Sequence, residues 1–124
     1  MKTGKHVILC IDDDPEFLES MRGILESNDY IMESAASAEE GLRRFKAVQP
    51  DLLIVDLMME EIDSGTTFVR EVKTQGATPP IYLLSSVGDG LSSATDYTQL
   101  GLSGVLQKPI NPDVLLATLK AKLR

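Results

Sequence analysis

Residues 6–15 read HVILCIDDDP, and this stretch decides the fold class of the chain. Residues 6–11 form a continuous apolar run, which is the pattern of a β-strand that is covered on both faces. The run ends in three consecutive aspartates, and Pro15 then favours the start of a helix, because its missing N–H costs little at that position. A buried strand that passes directly into a helix is typical of an α/β domain.

The alternation of strand and helix signals continues along the rest of the chain. Four more segments read as strands, at 30–34, 51–56, 81–85 and 104–107. The first of these is the weakest and reads as an edge strand. Strands that alternate with helices predict a parallel sheet, and a chain of 124 residues is the size of one domain.

Helix signals fill the intervals between the strands. In the first interval, apolar residues recur with helical spacing at Phe17, Leu18, Met21, Ile24 and Leu25. Ser37 and Glu40 form a capping box before a helix that would bury Ala38, Leu42 and Phe45. A third helix is predicted near 65–75, with Phe68, Val69 and Val72 inward, whereas the polar, glycine-rich stretch 87–101 encodes a helix poorly. Asn111 and Pro112 begin the last helix, whose sheet-facing residues are predicted to be Val114, Leu115, Thr118 and Leu119.

Reactive side chains stand where four of the five strands end. Asp12 and Asp13 follow the first strand, Asp56 closes the third, Ser85 ends the fourth and Lys108 follows the fifth. Parallel strands share one carboxyl edge, and α/β folds bind ligands at that edge. Three carboxylates, a hydroxyl and an ammonium are therefore expected to converge there.

The positions of these residues also suggest the order of the strands. The second strand ends in Ala35 and Ala36, which carry no reactive group, so it is placed at the edge. The order 2-1-3-4-5 then brings Asp12, Asp13 and Asp56 to the topological switch point of a doubly wound sheet.

Carboxylates crowded at one edge repel each other, and each pair about 4 Å apart costs on the order of 4 kcal/mol at an effective dielectric constant of 20. A bound divalent cation removes this repulsion. Oxygen ligands select Mg²⁺ or Ca²⁺, and Mg²⁺ commonly combines one or two carboxylates with waters and phosphate oxygens. The edge is therefore interpreted as a site for a metal ion and a phosphoryl group.

Four motifs in order, IDDDP, PDLLIVDLMM, IYLLSS and GVLQKP, resemble the receiver domain of two-component response regulators, and the resemblance covers the whole chain. It implies a single CheY-like receiver domain over residues 1–124. The implied fold is a doubly wound, flavodoxin-like (βα)5 sandwich of three layers.

The resemblance also assigns roles to the residues of the site. Asp56 matches the phosphoacceptor that receives a phosphoryl group from a histidine kinase or a phosphotransfer domain. Asp12 and Asp13 match the acidic pair that binds Mg²⁺, or Mn²⁺ in its place, together with Asp56 and the backbone carbonyl of Met58. Ser85 and Lys108 match the groups that hold the phosphoryl oxygens. Such a domain catalyses only its own phosphorylation and dephosphorylation and signals to a downstream protein or a linked effector domain.

Among the departures from the family pattern, the one at position 105 bears most on signalling. The family commonly has an aromatic residue three positions before the lysine, where its rotamer follows activation, and this chain has Val105 there. The face formed by 87–110 is the usual output surface of the family, and a homodimer through this face is an expectation of the same kind.

Composition excludes several other classes of protein. The net charge of −7 leaves no basic stripe for direct contact with nucleic acid, and the longest apolar runs are too short to cross a membrane. The chain starts without an apolar signal segment, and the single Cys10 cannot form an intrachain disulfide, so a cytoplasmic location is expected.

Two alternatives remain open from the sequence. One is a pseudo-receiver, a protein-interaction module that is never phosphorylated. Val105 in place of the usual aromatic residue is the feature that favours this alternative. The other is a Mg²⁺-dependent phosphatase with an aspartyl-phosphate intermediate. Such an enzyme would need a second aspartate where Met58 stands.

Overall fold

The structure is a computed structural model that describes residues 5–56, 70–74, 79–86, 103–108 and 110–123. One parallel sheet contains five strands: β1 (Val7–Ile11), β2 (Ile31–Ala35), β3 (Leu52–Asp56), β4 (Ile81–Ser86) and β5 (Gly104–Lys108). Their order is β2-β1-β3-β4-β5, which confirms the predicted order. Each strand also lies within one residue of its predicted bounds. In β1 and β3 the unbroken apolar run is buried along its whole length, as expected of strands that are covered on both faces.

Three helices accompany the sheet in the described part of the chain: α1 (Pro15–Glu26), α2 (Ala38–Val48) and α3 (Pro112–Lys122). Residues 70–73 are helical as well, and Val72 is fully buried as predicted. The remainder of the helix predicted near 65–75, including Phe68 and Val69, lies outside the described residues. The stretch 87–101 also lies outside them.

The helix starts follow the capping residues predicted from the sequence. Ser37 Oγ accepts a hydrogen bond from the Glu40 N–H at 3.2 Å, and Glu40 Oε1 accepts one from the Ala36 N–H at 2.8 Å. The carboxylate thus reaches one residue further back than in the standard capping box, which pairs it with the cap residue itself. Asn111 Oδ1 accepts hydrogen bonds from two backbone N–H groups in the first turn of α3.

Apolar side chains form one core layer on each side of the sheet. The first joins the sheet to α1 and α3 and contains Ile8, Cys10, Met21, Leu25, Met32, Leu52, Ile54, Tyr82, Leu84, Leu106, Leu115 and Leu119. The second contains Leu9, Ile11, Ala35, Leu53, Val55, Val72, Ile81 and Leu83, with α2 packed against it. These two layers give the doubly wound, three-layer α/β architecture expected from the sequence.

The face that α3 presents to the sheet differs from the prediction at two positions. Leu115 and Leu119 are fully buried as expected, but Val114 is 53% exposed and Thr118 is only half-buried. Leu116 and Leu123 pack against the first core layer instead. The predicted and the observed sheet-facing residues of α3 both have helical spacing. The helix is rotated so that leucines fill the interface, because they bury more apolar surface than valine and threonine do.

Candidate functional site

Asp12, Asp56 and Lys108 meet at the carboxyl edge of the sheet, as the strand order predicts. Asp12 follows β1, Asp56 ends β3 and Lys108 ends β5. Oxygen atoms of Asp12, Asp13 and Asp56 all lie within 4.8 Å of one another. Asp12 is fully buried and Asp56 is 5% exposed, whereas Asp13 is exposed to solvent.

Asp12 is held in place by the start of α1. Its Oδ1 accepts a hydrogen bond from the Asp14 N–H at 2.9 Å, and Asp14 Oδ1 in turn accepts one from the Glu16 N–H at 3.0 Å. The Asp14 side chain thereby caps α1, whose first residue is Pro15. The cap and the site are therefore built from the same short turn.

The second oxygen of Asp12 has a different environment. Oδ2 is buried and accepts no hydrogen bond from any residue that the structure describes. Its close partner is the Lys108 ammonium, with Nζ at 2.7 Å in an ion pair. A buried carboxylate oxygen without a hydrogen bond is costly unless a cation balances it. Oδ2 is thus oriented for a cation.

Lys108 contacts both buried carboxylates at once. Its Nζ lies 3.4 Å from Asp56 Oδ2 in addition to its contact with Asp12, and it also lies 4.6 Å from the ring centroid of Phe17. Burial by itself would lower the pKa of the Lys108 ammonium, but its interactions with Asp12 and then Asp56 outweigh burial and raise that pKa above its ordinary value. Lys108 is therefore firmly cationic at neutral pH.

The two remaining predicted site residues are Ser85 and Met58. Ser85 lies in β4 with its backbone in register with Gln107, one residue beyond Leu84, which is paired with Asp56. Met58, predicted to supply a backbone carbonyl, lies outside the described residues. Sequence reasoning missed the contact of Phe17 with Lys108. The helical spacing identifies Phe17 only as one of the apolar residues of α1, although its place one helical turn after Asp13 also puts it near the sheet edge.

The donor set fits a hard divalent cation. Three carboxylates supply oxygen ligands, and one of their buried oxygens lacks a hydrogen-bond donor among the described residues. Among the described residues, one ammonium lies beside three carboxylates, so these four side chains together carry a net negative charge. This charge favours binding of Mg²⁺ or a similar ion.

Val105 lies on β5, three residues before Lys108, at the position where the family commonly has an aromatic residue. Its side chain is half-buried and packs against the second core layer. A cavity of about 310 Å³ lies beside the same strand, lined by Val105, Leu106, Gln107, Ile110, Asn111 and Val114. The exposed Val114 thus borders an open space next to β5.

A parallel 2-1-3-4-5 sheet with three carboxylates and a lysine at its carboxyl edge is the arrangement expected of a receiver domain. Comparison with known proteins gives the same class, since the family model for the response regulator receiver domain matches residues 8–120. The chain belongs to this family. It is a receiver domain of two-component signalling and not a classical enzyme, so the phosphatase alternative is set aside.

Relatives and solved structures agree with this assignment. Response regulator MprA of Mycobacterium ulcerans is 34% identical over 117 residues, which cover 94% of this chain and 50% of that protein. The chain therefore spans about half the length of the curated relatives it matches. Chemotaxis protein CheY4 of Vibrio cholerae superposes with a TM-score of 0.86 at 28% identity, with 97% of this chain and all of that chain covered. A response regulator structure from Chloroflexus aurantiacus gives a TM-score of 0.85 at 32% identity, covering 96% of this chain and 98% of its own.

None of the helices in the described part of the chain combines the length and the apolar character needed to cross a membrane.

Proposed function

We propose that Asp56 is the phosphoacceptor of this receiver domain. A carboxylate oxygen of Asp56 attacks the phosphorus of a phosphohistidine, the P–N bond breaks, and the imidazole leaves and recovers a proton. The product is an aspartyl phosphate, a covalent intermediate of a recognised type. Later hydrolysis returns Asp56 to its free form.

The observation that carries this proposal is the position of the Lys108 ammonium, 3.4 Å from the Asp56 carboxylate and 2.7 Å from that of Asp12. Phosphoryl transfer depends mainly on positioning and on charge neutralisation, and a cation within reach of the acceptor supplies both. Lys108 is thus proposed to pair with one phosphoryl oxygen, and the Ser85 hydroxyl is proposed to bond another.

The acidic residues are proposed to hold Mg²⁺, with Mn²⁺ as a substitute. Asp12, Asp13 and Asp56 would supply carboxylate oxygens, and Met58 its backbone carbonyl. When bound, the ion would neutralise negative charge on the phosphoryl oxygens. The buried Oδ2 of Asp12 supports this assignment, because its close partner among the described residues is a cation, the Lys108 ammonium.

The partners of the domain are inferred from its family. We propose that a histidine kinase or a phosphotransfer domain donates the phosphoryl group in the cytoplasm. Residues 1–124 are proposed to act as one receiver unit that signals to a downstream protein or a linked effector domain without contacting nucleic acid itself. The 87–110 face is the proposed output surface, including any homodimer. Because Val105 has no large ring to reorient, this output is proposed to work without an aromatic switch.

Incubation with acetyl phosphate and Mg²⁺, followed by mass spectrometry of the intact protein, tests this function. The expected result is addition of one phosphoryl group that depends on Mg²⁺ and is lost in Asp56→Asn. Asp51→Asn is a matched control, since Asp51 directly precedes the same strand at its opposite end. Asp51 accepts a hydrogen bond from the Val7 N–H at 2.7 Å, and asparagine retains an acceptor for it. This control should be phosphorylated normally.

The outcome also separates the receiver from the pseudo-receiver. A folded protein that gains no phosphoryl group, and that binds no beryllofluoride in the presence of Mg²⁺, would identify a pseudo-receiver and overturn the proposal. Phosphorylation that persists in Asp56→Asn would mean that another residue is the acceptor.

A further inference from the structure

Phe17 lies beside the site without belonging to its predicted chemistry. It occupies the first turn of α1, directly after the turn that holds Asp12, and its ring centroid is 4.6 Å from Lys108 Nζ. The ring is half-buried and also packs against the first core layer. Core packing explains an apolar side chain at this position, but it does not explain why an ammonium lies close to the ring.

The face of an aromatic ring carries partial negative charge, so it attracts a cation at this distance. Among the described residues, Lys108 therefore has three attractive neighbours: a carboxylate oxygen of Asp12 at 2.7 Å, one of Asp56 at 3.4 Å, and the ring of Phe17. Its side chain is 19% exposed, so part of it remains open to water. A lysine stem has many rotamers, and each additional contact at the ammonium restricts them.

We propose that Phe17 is a positioning residue that holds the Lys108 ammonium within reach of Asp56. The two carboxylates fix the ammonium in the metal-free protein, but a bound divalent cation would compete for those same oxygens. The ring carries no formal charge and is no ligand for a hard cation, so its hold on Lys108 persists when the carboxylates engage a metal. Phe17 thereby keeps Lys108 available for a phosphoryl oxygen. This role rests on the proposed phosphoacceptor function of Asp56.

The first test needs neither metal nor phosphate. In the metal-free protein, the aromatic ring current should shift the NMR signals of the Lys108 Cε protons upfield. These signals are identified by their loss in Lys108→Met. The shift should vanish in Phe17→Leu and persist in Phe17→Tyr. Signals that keep their position in Phe17→Leu would overturn the proposal, whatever the outcome for phosphorylation.

The second test measures the rate of phosphorylation by acetyl phosphate at saturating Mg²⁺. Phe17→Leu, which keeps apolar bulk, should slow the reaction about two- to five-fold, the factor that corresponds to a partly exposed cation–π contact. Phe17→Tyr should restore the rate. Phe45→Leu, the same substitution on α2 against the opposite core layer, should leave the rate unchanged.

A double-mutant cycle separates positioning from general packing. In a Lys108→Met background, Phe17→Leu should have no further effect on the residual rate, because the ammonium that the ring holds is gone. An equal slowing in both backgrounds, or equal rates for the Leu and Tyr variants, would assign Phe17 to packing alone. If the wild type takes no phosphoryl group, the function proposed for Asp56 fails, and the ring-current result still decides the contact.

Discussion

Lys108 is the cationic partner of two buried carboxylates, and Lys108→Met should therefore destabilise the protein when no Mg²⁺ is present. Methionine keeps a long apolar stem but carries no charge. The substitution leaves Asp12 Oδ2 buried with neither its cation nor any hydrogen-bond donor from the described residues. It also leaves Asp12 and Asp56 facing each other without the ammonium that contacts both.

The magnitude follows from the two distances. At 2.7 Å and 3.4 Å the gross attraction is about 6 and about 5 kcal/mol at an effective dielectric constant of about 20. Most of this offsets the desolvation of the three charges. Breaking a buried pair by removing one partner typically costs about 3–5 kcal/mol. Asp12 keeps its hydrogen bond from the Asp14 N–H, and Lys108 is partly exposed, so we expect a loss of about 2–3 kcal/mol.

Urea denaturation in EDTA and in saturating Mg²⁺ measures this loss. In EDTA, Lys108→Met should lower the free energy of unfolding by the stated amount. In Mg²⁺ the gap to the wild type should narrow by about 1.4 kcal/mol, because the metal replaces the ammonium as counter-ion. By linkage, the variant should then bind Mg²⁺ about ten-fold more tightly than the wild type, which calorimetric titration can verify.

Lys120→Met is the matched control, since Lys120 is an exposed lysine in the last turn of α3 and is not one of the predicted site residues. It should change stability by less than about 0.5 kcal/mol in either condition. If Lys108→Met were as stable as this control in EDTA, Lys108 would not be the counter-ion of the site. If Mg²⁺ left the difference in unfolding free energy between Lys108→Met and the wild type unchanged, the idea that metal and ammonium compete for the same oxygens would be refuted.

Two further predictions concern stability away from the site. Burial raises the pKa of the Cys10 thiol from 9.0 to about 12. At pH values between these two, the unfolded chain releases a proton that the native state keeps. The free energy of unfolding therefore falls as the pH rises. The unfolding free energy of the wild type should drop about 1.4 kcal/mol more than that of Cys10→Ala from pH 8 to pH 10, and equal drops would contradict this burial. Gln49 adopts a left-handed conformation with φ of 47° at the end of α2, so Gln49→Gly should stabilise the protein by about 0.5–1 kcal/mol in thermal unfolding. Lys46→Gly, within the same helix, should instead destabilise it by about 1 kcal/mol, and the same sign for both variants would exclude the conformational explanation.

Much of the fold could be predicted because its determinants are local in sequence. Residues 7–11 and 52–56 are buried along their whole length, so their apolar runs identified them as central strands. Asp14, Ser37 and Asn111 cap the helices that follow them, as their side chains allow. The strand order followed from the need to bring Asp12 and Asp56 together, which the pairing of β1 with β3 achieves.

The errors arise where the structure depends on packing between elements. The spacing in α3 was compatible with two buried faces, and only contact with the sheet selects the one that leaves Val114 exposed. The contact between Phe17 and Lys108 joins residues that are 91 positions apart in the sequence. No pattern along the chain encodes it, although the place of Phe17 in the first turn of α1 was a usable signal.

The reach of Lys108 has a consequence for signalling. In the strand order, β5 lies three positions from β1, and neighbouring strands are about 4.8 Å apart. The Lys108 ammonium nevertheless contacts Asp12, the residue that directly follows β1. The lysine stem thus ties the last residue of the edge strand to the switch point. Any added charge at Asp56 acts directly on Lys108, and hence on the strand that carries Val105 and borders the cavity. We therefore expect the charge state of the site to act on β5 through Lys108, which requires no aromatic ring at position 105.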